Sequence, residues 1–240
     1  MAKETINHNL FVPPNKNILF HSHLGLGDHI SCIGLVHYLA ETFGNKVGVV
    51  CKECFLKNIE FLYKDFANIE VFPISNDNTK EISQVDELAK QKGYHLIRTK
   101  VTEYQDFWDK THYSNLGLDY KIKFEYCKLP IIENEDKILE KATAGQEVFA
   151  FVHDDEDKGL TFKYETNLPV VKNQKDLNVF QMIPILKKAT EIHVMGSSVL
   201  CLAEILNIPL SHQKAFFYSF RDPFEEGINI RNKNKWKIFS

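Results

Sequence analysis

Short apolar runs that alternate with helix-length segments constrain this chain more than any other feature. In the N-terminal half, NILFH (17–21), KVGVVC (46–51), IEVFPI (69–74) and YHLIRT (94–99) are rich in Val, Ile, Leu or Phe. Runs this short and this apolar suit strands buried on both faces. Between them, residues 28–43 set Ile30, Ile33, Gly34, Val36, Leu39 and Ala40 at helical spacing behind Asp28 as N-cap, and residues 81–92 form an amphipathic helix closed by Gly93. Strand, helix, strand in this rhythm predicts βαβ units and a parallel sheet.

Residues 103–130 break the rhythm with Tyr104, Phe107, Trp108, Tyr113, Tyr120, Phe124 and Tyr126, which serve either as packing or as a binding platform. A second unit then begins. Its predicted strands are EVFAFVHDD (147–155), NLPVVKN (167–173), EIHVMG (191–196) and a last one, AFFYSF (215–220). Its predicted helices are residues 178–189, which Pro184 must kink or break, and 197–206, opening on serine. The fold class is therefore α/β in two units, 1–130 and 131–240, with a basic tail free to return to the first.

A formal charge of −3 gives no general electrostatic case for nucleic acid, so an anionic partner must meet a local site. No run approaches the roughly 18 apolar residues of a membrane span, and MAKETINHNLFVPPNK lacks the apolar core of a secretory signal, so a cytoplasmic protein is expected. The five cysteines are an odd set in mostly apolar patterns, and CxxC at Cys51 and Cys54 has no second pair to complete a zinc site. No disulfide framework is expected.

In an open parallel sheet, ligands collect at the carboxyl ends of the strands. HSHLGLGDHIS follows the first strand, with Gly25 and Gly27 allowing close backbone approach to a ligand. A dinucleotide fingerprint would need Gly or Ala where Ile30 stands and an acid where the second strand ends in VVCKE, which argues against it. Asp28 there is either a structural cap or a base, and His29 beside it has a titration range suited to acid–base work. VHDDEDKG places His153 and Asp154 at a strand end, followed by a DxD whose Asp157 reads as a solvated turn. Gly196, Ser197 and Ser198 join a strand to a helix, as an ordinary serine cap or as a phosphate cradle.

GLGDHISCIGLVHYLAE followed by VGVVCKE resembles the opening of GT-B-type glycosyltransferases of the heptosyltransferase-like group. Closer still is the likeness to small glycosyltransferases of bacteria and large DNA viruses with a GLGDHI motif, a middle segment like FWDKTHYSNLGLDYKIKF, a strand ending like FVHDDEDKG and a tail like RNKNKWKIF. That resemblance implies two Rossmann-like domains facing a cleft, acceptor on the first and sugar nucleotide on the second. It implies a transferase of the hexosyl or pentosyl class in glycan biosynthesis, inverting, needing neither metal nor cofactor. Asp28, aided by His29, would be the base, with Gly25, Gly27 and Tyr113 on the acceptor side. His153, Asp154, Lys158, Gly196, Ser197, Ser198, Arg231 and Lys235 would bind the donor. The chain departs from the pattern at Gly196, where relatives often carry an acid. The rival expectations are a non-catalytic nucleotide-binding protein and another Rossmann enzyme, an epimerase or a dehydrogenase.

Overall fold

The computed structural model describes residues 10–22, 24–99, 108–156, 159–174, 176–219 and 235–239. The chain divides into two compact units, Met1–Pro130 and Ile131–Ser240.

In the first unit, β1 (Ile18–His21), β2 (Val47–Lys52), β3 (Ile69–Ile74) and β4 (His95–Arg98) form a parallel sheet in the order β3-β2-β1-β4. Ile18 lies opposite both Val47 and His95, so β1 is the central strand from which the chain winds in two directions. Its residues are fully buried, as the unbroken apolar run requires. The helix predicted over residues 28–43 is two helices, α1 (Leu26–Ser31) and α2 (Ile33–Phe43), divided at Cys32. Asp28 is accordingly the third residue of α1 rather than its N-cap, which is Gly25. A helix not foreseen in the sequence, α3 (Leu56–Tyr63), buries Ile59, Leu62 and Tyr63, and α4 (Glu81–Lys92) ends at Gly93 with φ 65°.

The aromatic segment turns inward. Helices α5 (Trp108–Ser114) and α6 (Ile122–Glu125) bury Tyr113, whose ring meets Tyr120 edge-on at 5.6 Å, with Phe124 beyond it. Lys123 and Asp109 pair in the interior, and the Tyr120 hydroxyl donates to the same Asp109 Oδ2 at 2.6 Å. Those hydrogen bonds stabilise a buried charge pair that would otherwise be costly. Tyr104 and Phe107 lie outside the described residues.

In the second unit, α7 (Glu135–Thr143) precedes β5 (Ala150–His153), β6 (Val170–Lys172), α8 (Ile183–Lys188), β7 (Glu191–Met195), α9 (Ser198–Ile205), β8 (Lys214–Tyr218) and β9 (Trp236–Phe239). The sheet is parallel in the order β6-β5-β7-β8-β9. Pro184 breaks the predicted helix as its missing N–H requires: a 3-10 turn, Val179–Met182, capped by Asn178, gives way to α8 with Pro184 in its first turn. The strand predicted as the last is followed by β9, which pairs with β8 from Ala215–Trp236 to Tyr218–Phe239. The described end of the tail therefore extends the second sheet, and the Trp236 indole N–H anchors it on the Ile208 carbonyl at 3.2 Å. Among the described residues no helix is long and apolar enough to cross a membrane.

Gly34 sets the approach of α2 to α6, because a Cβ there would lie 2.4 Å from the Ile122 carbonyl oxygen and 2.5 Å from that of Lys123. Backbone cannot yield as a flexible side chain can. Gly34→Ala is therefore expected to cost about 1–3 kcal/mol of stability, checked by urea unfolding.

Candidate functional site

Each sheet reverses its winding direction once, and loops leaving a reversal point part to form a crevice at the carboxyl ends of the strands. In the first unit the reversal falls between β1 and β4; in the second it falls between β5 and β7. The sequence stretches singled out above stand at these two places.

At the first, the chain leaves β1 at His21 and enters α1 at Gly25. The Gly25 N–H donates to Asp28 Oδ2 at 3.1 Å, tying the carboxylate to the start of its own helix. A Cβ on Gly25 would lie 2.6 Å from that oxygen, so glycine makes this contact possible. The other carboxylate oxygen, Oδ1, lies 3.3 Å from Nε2 of His112, which α5 brings from 84 residues along the chain. The Asp28 side chain keeps 11% of its surface exposed while that of His112 keeps none. Asp28 alone of the pair can meet a ligand. Burial works against charge on His112, but Cys32 and the Asp28 carboxylate outweigh it and raise its pKa from 6.5 to about 10. Both ring nitrogens then donate, Nε2 to Asp28 and Nδ1 to Thr99 Oγ1 at 2.9 Å. Thr99 follows β4 and holds on to β1 through its N–H to the His21 carbonyl, so the ring is braced against the sheet.

The neighbouring histidines do other work. Arg98 Nε donates to His21 Nδ1 at 2.8 Å, which leaves the single ring proton on Nε2, facing Glu81 Oε1 at 3.0 Å. His21 is thus a neutral link between the strand ends and α4; His23 lies outside the described residues. His29 points into the interior, its Nε2 without a hydrogen-bond partner, and burial lowers its pKa to about 4. It is neutral and sequestered at neutral pH, which corrects the expectation of an acid–base role. Tyr113 is also corrected: it is fully buried, and its hydroxyl donates to the Ser31 carbonyl at 2.8 Å, so it supports α1 from beneath and presents nothing to an acceptor. Gly27 lies in the first turn of α1.

At the second reversal point, His153 ends β5 with its Nδ1–H donating to Asn173 Oδ1 at 2.7 Å, while the Asn173 amide donates to the Asp154 carbonyl. The buried Asp154 carboxylate accepts from Lys172 at 2.9 Å, and Lys172 also pairs with Glu156. Glu156 first, then Asp154, hold the lysine's pKa above its ordinary value. Across the reversal, Gly196 leads from β7 into α9. Ser197 is the N-cap residue, yet its hydroxyl donates backward to the Met195 carbonyl at 3.1 Å and makes no capping bond. With Ser198 opening the helix, the first amides of α9 carry no side-chain cap, so the ordinary serine cap is not what is built here.

Lys235 is described and precedes β9 at the amino end of the second sheet. The strand separates it from the carboxyl ends, so it is not grouped with Gly196, Ser197 and Ser198. Lys158, Arg231 and Asp157 lie outside the described residues. Sequence reasoning missed His112, Thr99, Lys172 and Asn173. Lys172 and Asn173 follow a predicted strand and carried a positional signal; His112 and Thr99 gain meaning only from partners distant in the chain. Among the described residues no group of three or more His, Cys, Asp or Glu is placed to hold a metal.

Comparison of the sequence with protein-family models and with curated proteins finds no match. Solved structures do match. A family 9 glycosyl transferase from Veillonella parvula superposes with a TM-score of 0.61 at 8% identity, over 97% of this chain and 88% of that one. The ADP-heptose lipopolysaccharide heptosyltransferase II of E. coli gives 0.57 at 9% identity, over 93% and 90%. The iron-containing dodecameric glycosyltransferase TibC of enterotoxigenic E. coli gives 0.50 at 10% identity, over 88% and 62%. The fold is a heptosyltransferase-like GT-B fold built on parallel α/β units.

A histidine whose pKa is depressed in the folded state contributes stability above its unfolded value and loses it as pH falls through the folded one. His29 and His37, both lowered by burial to about 4, therefore predict a loss of stability between pH 6.5 and 4. Urea unfolding should show a slope of about 1.4 kcal/mol per pH unit for each, and His29→Gln should remove one share of it. Gly25→Ala is expected to displace the Asp28 carboxylate while leaving the far-UV spectrum intact, a result a crystal structure of the variant would check.

Proposed function

We propose that the chain is a glycosyltransferase that moves a sugar from a nucleoside-diphosphate sugar to a hydroxyl of a glycan or other acceptor. The observation that carries this is Asp28: a carboxylate gripped from two directions at a strand-reversal point, with part of its surface left open. Such a group can take a proton from an acceptor hydroxyl within hydrogen-bond reach. The acceptor oxygen then bonds to the anomeric carbon as the bond from that carbon to the diphosphate oxygen breaks, and the electron pair leaves on the diphosphate. The uncapped α9 amides, with Ser197 and Ser198, are suited to that growing negative charge. A single base and direct displacement make the reaction inverting. The second unit has the donor role, with His153 and Asp154 near the nucleotide and Lys158 and Arg231 assisting at the diphosphate.

Metal independence belongs to the same proposal, since helix amides and basic side chains can meet the diphosphate charge. Structural neighbours include heptosyltransferases, so seven-carbon sugars stand beside hexoses and pentoses as candidate donors.

The test is a panel of UDP-, GDP-, dTDP- and ADP-linked sugars assayed for released nucleoside diphosphate, with and without EDTA. Release that persists in EDTA and falls about 10²- to 10⁴-fold per folded molecule in Asp28→Asn is the expected result. Undiminished turnover in Asp28→Asn would remove the base assignment. Thermal stabilisation by NAD alone, where saturating ligand adds about 2.7 kcal/mol at 100 times its Kd, would point to a dehydrogenase or epimerase instead.

A further inference from the structure

We propose that His112 is a positioning residue for the Asp28 base, a sequestered donor that aims the carboxylate; this rests on the glycosyltransferase function proposed above. Capping α1 needs only the Gly25–Asp28 contact, which is local to the loop and complete without α5. His112 is an addition from another part of the chain. It is fully buried, 3.3 Å from Oδ1, and its second nitrogen is held 2.9 Å from Thr99 Oγ1. With Oδ2 held by Gly25, the carboxylate cannot rotate without losing a donor on one side or the other. A buried ion pair contributes little net stability once desolvation is counted, so holding one behind a partly open carboxylate is better explained by what it does to that carboxylate.

The order of the pair also matters. Where an imidazole is the base, the carboxylate stands behind it; here the imidazole is sealed and the carboxylate keeps a small exposed part, so Asp28 takes the acceptor proton and His112 keeps its own throughout. The titratable groups facing the ring are Asp28 and Cys32, with His29 also within electrostatic reach; Asp109 on its own helix is taken up by Lys123. Of these, His29 is neutral above pH 4, and Cys32 and Asp28 together hold the ring charged.

The test compares pH–rate profiles and histidine ring ¹⁵N spectra of the full chain. His112→Gln keeps a donor for Oδ1 but removes the charge. It should remove the basic limb that the ring's own titration sets, lower kcat at neutral pH tenfold or more, and leave the donor KM within twofold. Thr99→Val keeps the ion pair and removes the Nδ1 acceptor; it should bring the basic limb down and serves where His112→Gln fails to fold. In the spectra, the wild-type His112 ring should stay doubly protonated at pH 8 and become neutral there in Asp28→Asn. A His112 ring neutral at pH 8 in the wild type, or limbs unmoved in folded variants, overturns the proposal. If no sugar nucleotide turns over while the ring remains protonated, the pair exists but its catalytic use falls, and the fault lies in the proposed function rather than in the geometry.

Discussion

A central parallel strand with neighbours on both sides imposes the geometry on which the first unit depends. β1 pairs with β2 and with β4, so the chain must wind away from it in one direction and later return on the other side. At such a reversal point connections part and leave a place at the strand ends, where Ser22, Gly25 and Thr99 stand. Asp28 and His112 meet there because the strands oblige their connections to diverge at that point. The second sheet repeats the arrangement between β5 and β7, with His153 on one side and Gly196 on the other.

Holding those residues in place falls to contacts that side-chain chemistry alone does not suggest. Gly34 lets α2 come against the carbonyls of Ile122 and Lys123, and the buried Lys123–Asp109 pair joins α6 to α5. Tyr113 then reaches the Ser31 carbonyl, and its neighbour His112 reaches Asp28. Packing and site are therefore one construction: the described part of the aromatic segment buries Tyr113 and Lys123 and brings an imidazole behind the carboxylate.

The two charge arrangements in the first unit respond to pH in opposite senses. His29 is neutral because burial disfavours its charge, and its contribution to stability is lost on acidification. His112 is charged because its partners outweigh burial; its contribution is complete below pH 6.5 and is lost as pH rises through about 10. Two histidines in one neighbourhood thus take opposite states, and their nearest partners, not their residue type, set which is which.

Much of the architecture was legible in the residues. Apolar runs of strand length named eight of the nine strands among the described residues, because a strand buried on both faces cannot hide its composition, and Gly93 and Pro184 marked a helix end and a break because backbone sterics act locally. β9 was not legible: WKIF sits in a basic tail and becomes a strand only because the edge of β8 is there to pair with it. The candidate site divides in the same way. Asp28 and Gly25 stood out because a glycine loop entering a helix is a short-range pattern, whereas His29 and Tyr113 looked functional by type and prove buried. Neither His112 nor Thr99 stood out as a site residue, since their partners lie far along the chain. By itself the sequence determined the strands, the parallel class and the residues at the strand ends, all of which follow from local sterics and hydrophobic periodicity. Only the tertiary structure decided which histidine carries a charge and which carboxylate stays open, because protonation and exposure depend on neighbours that the fold alone brings together.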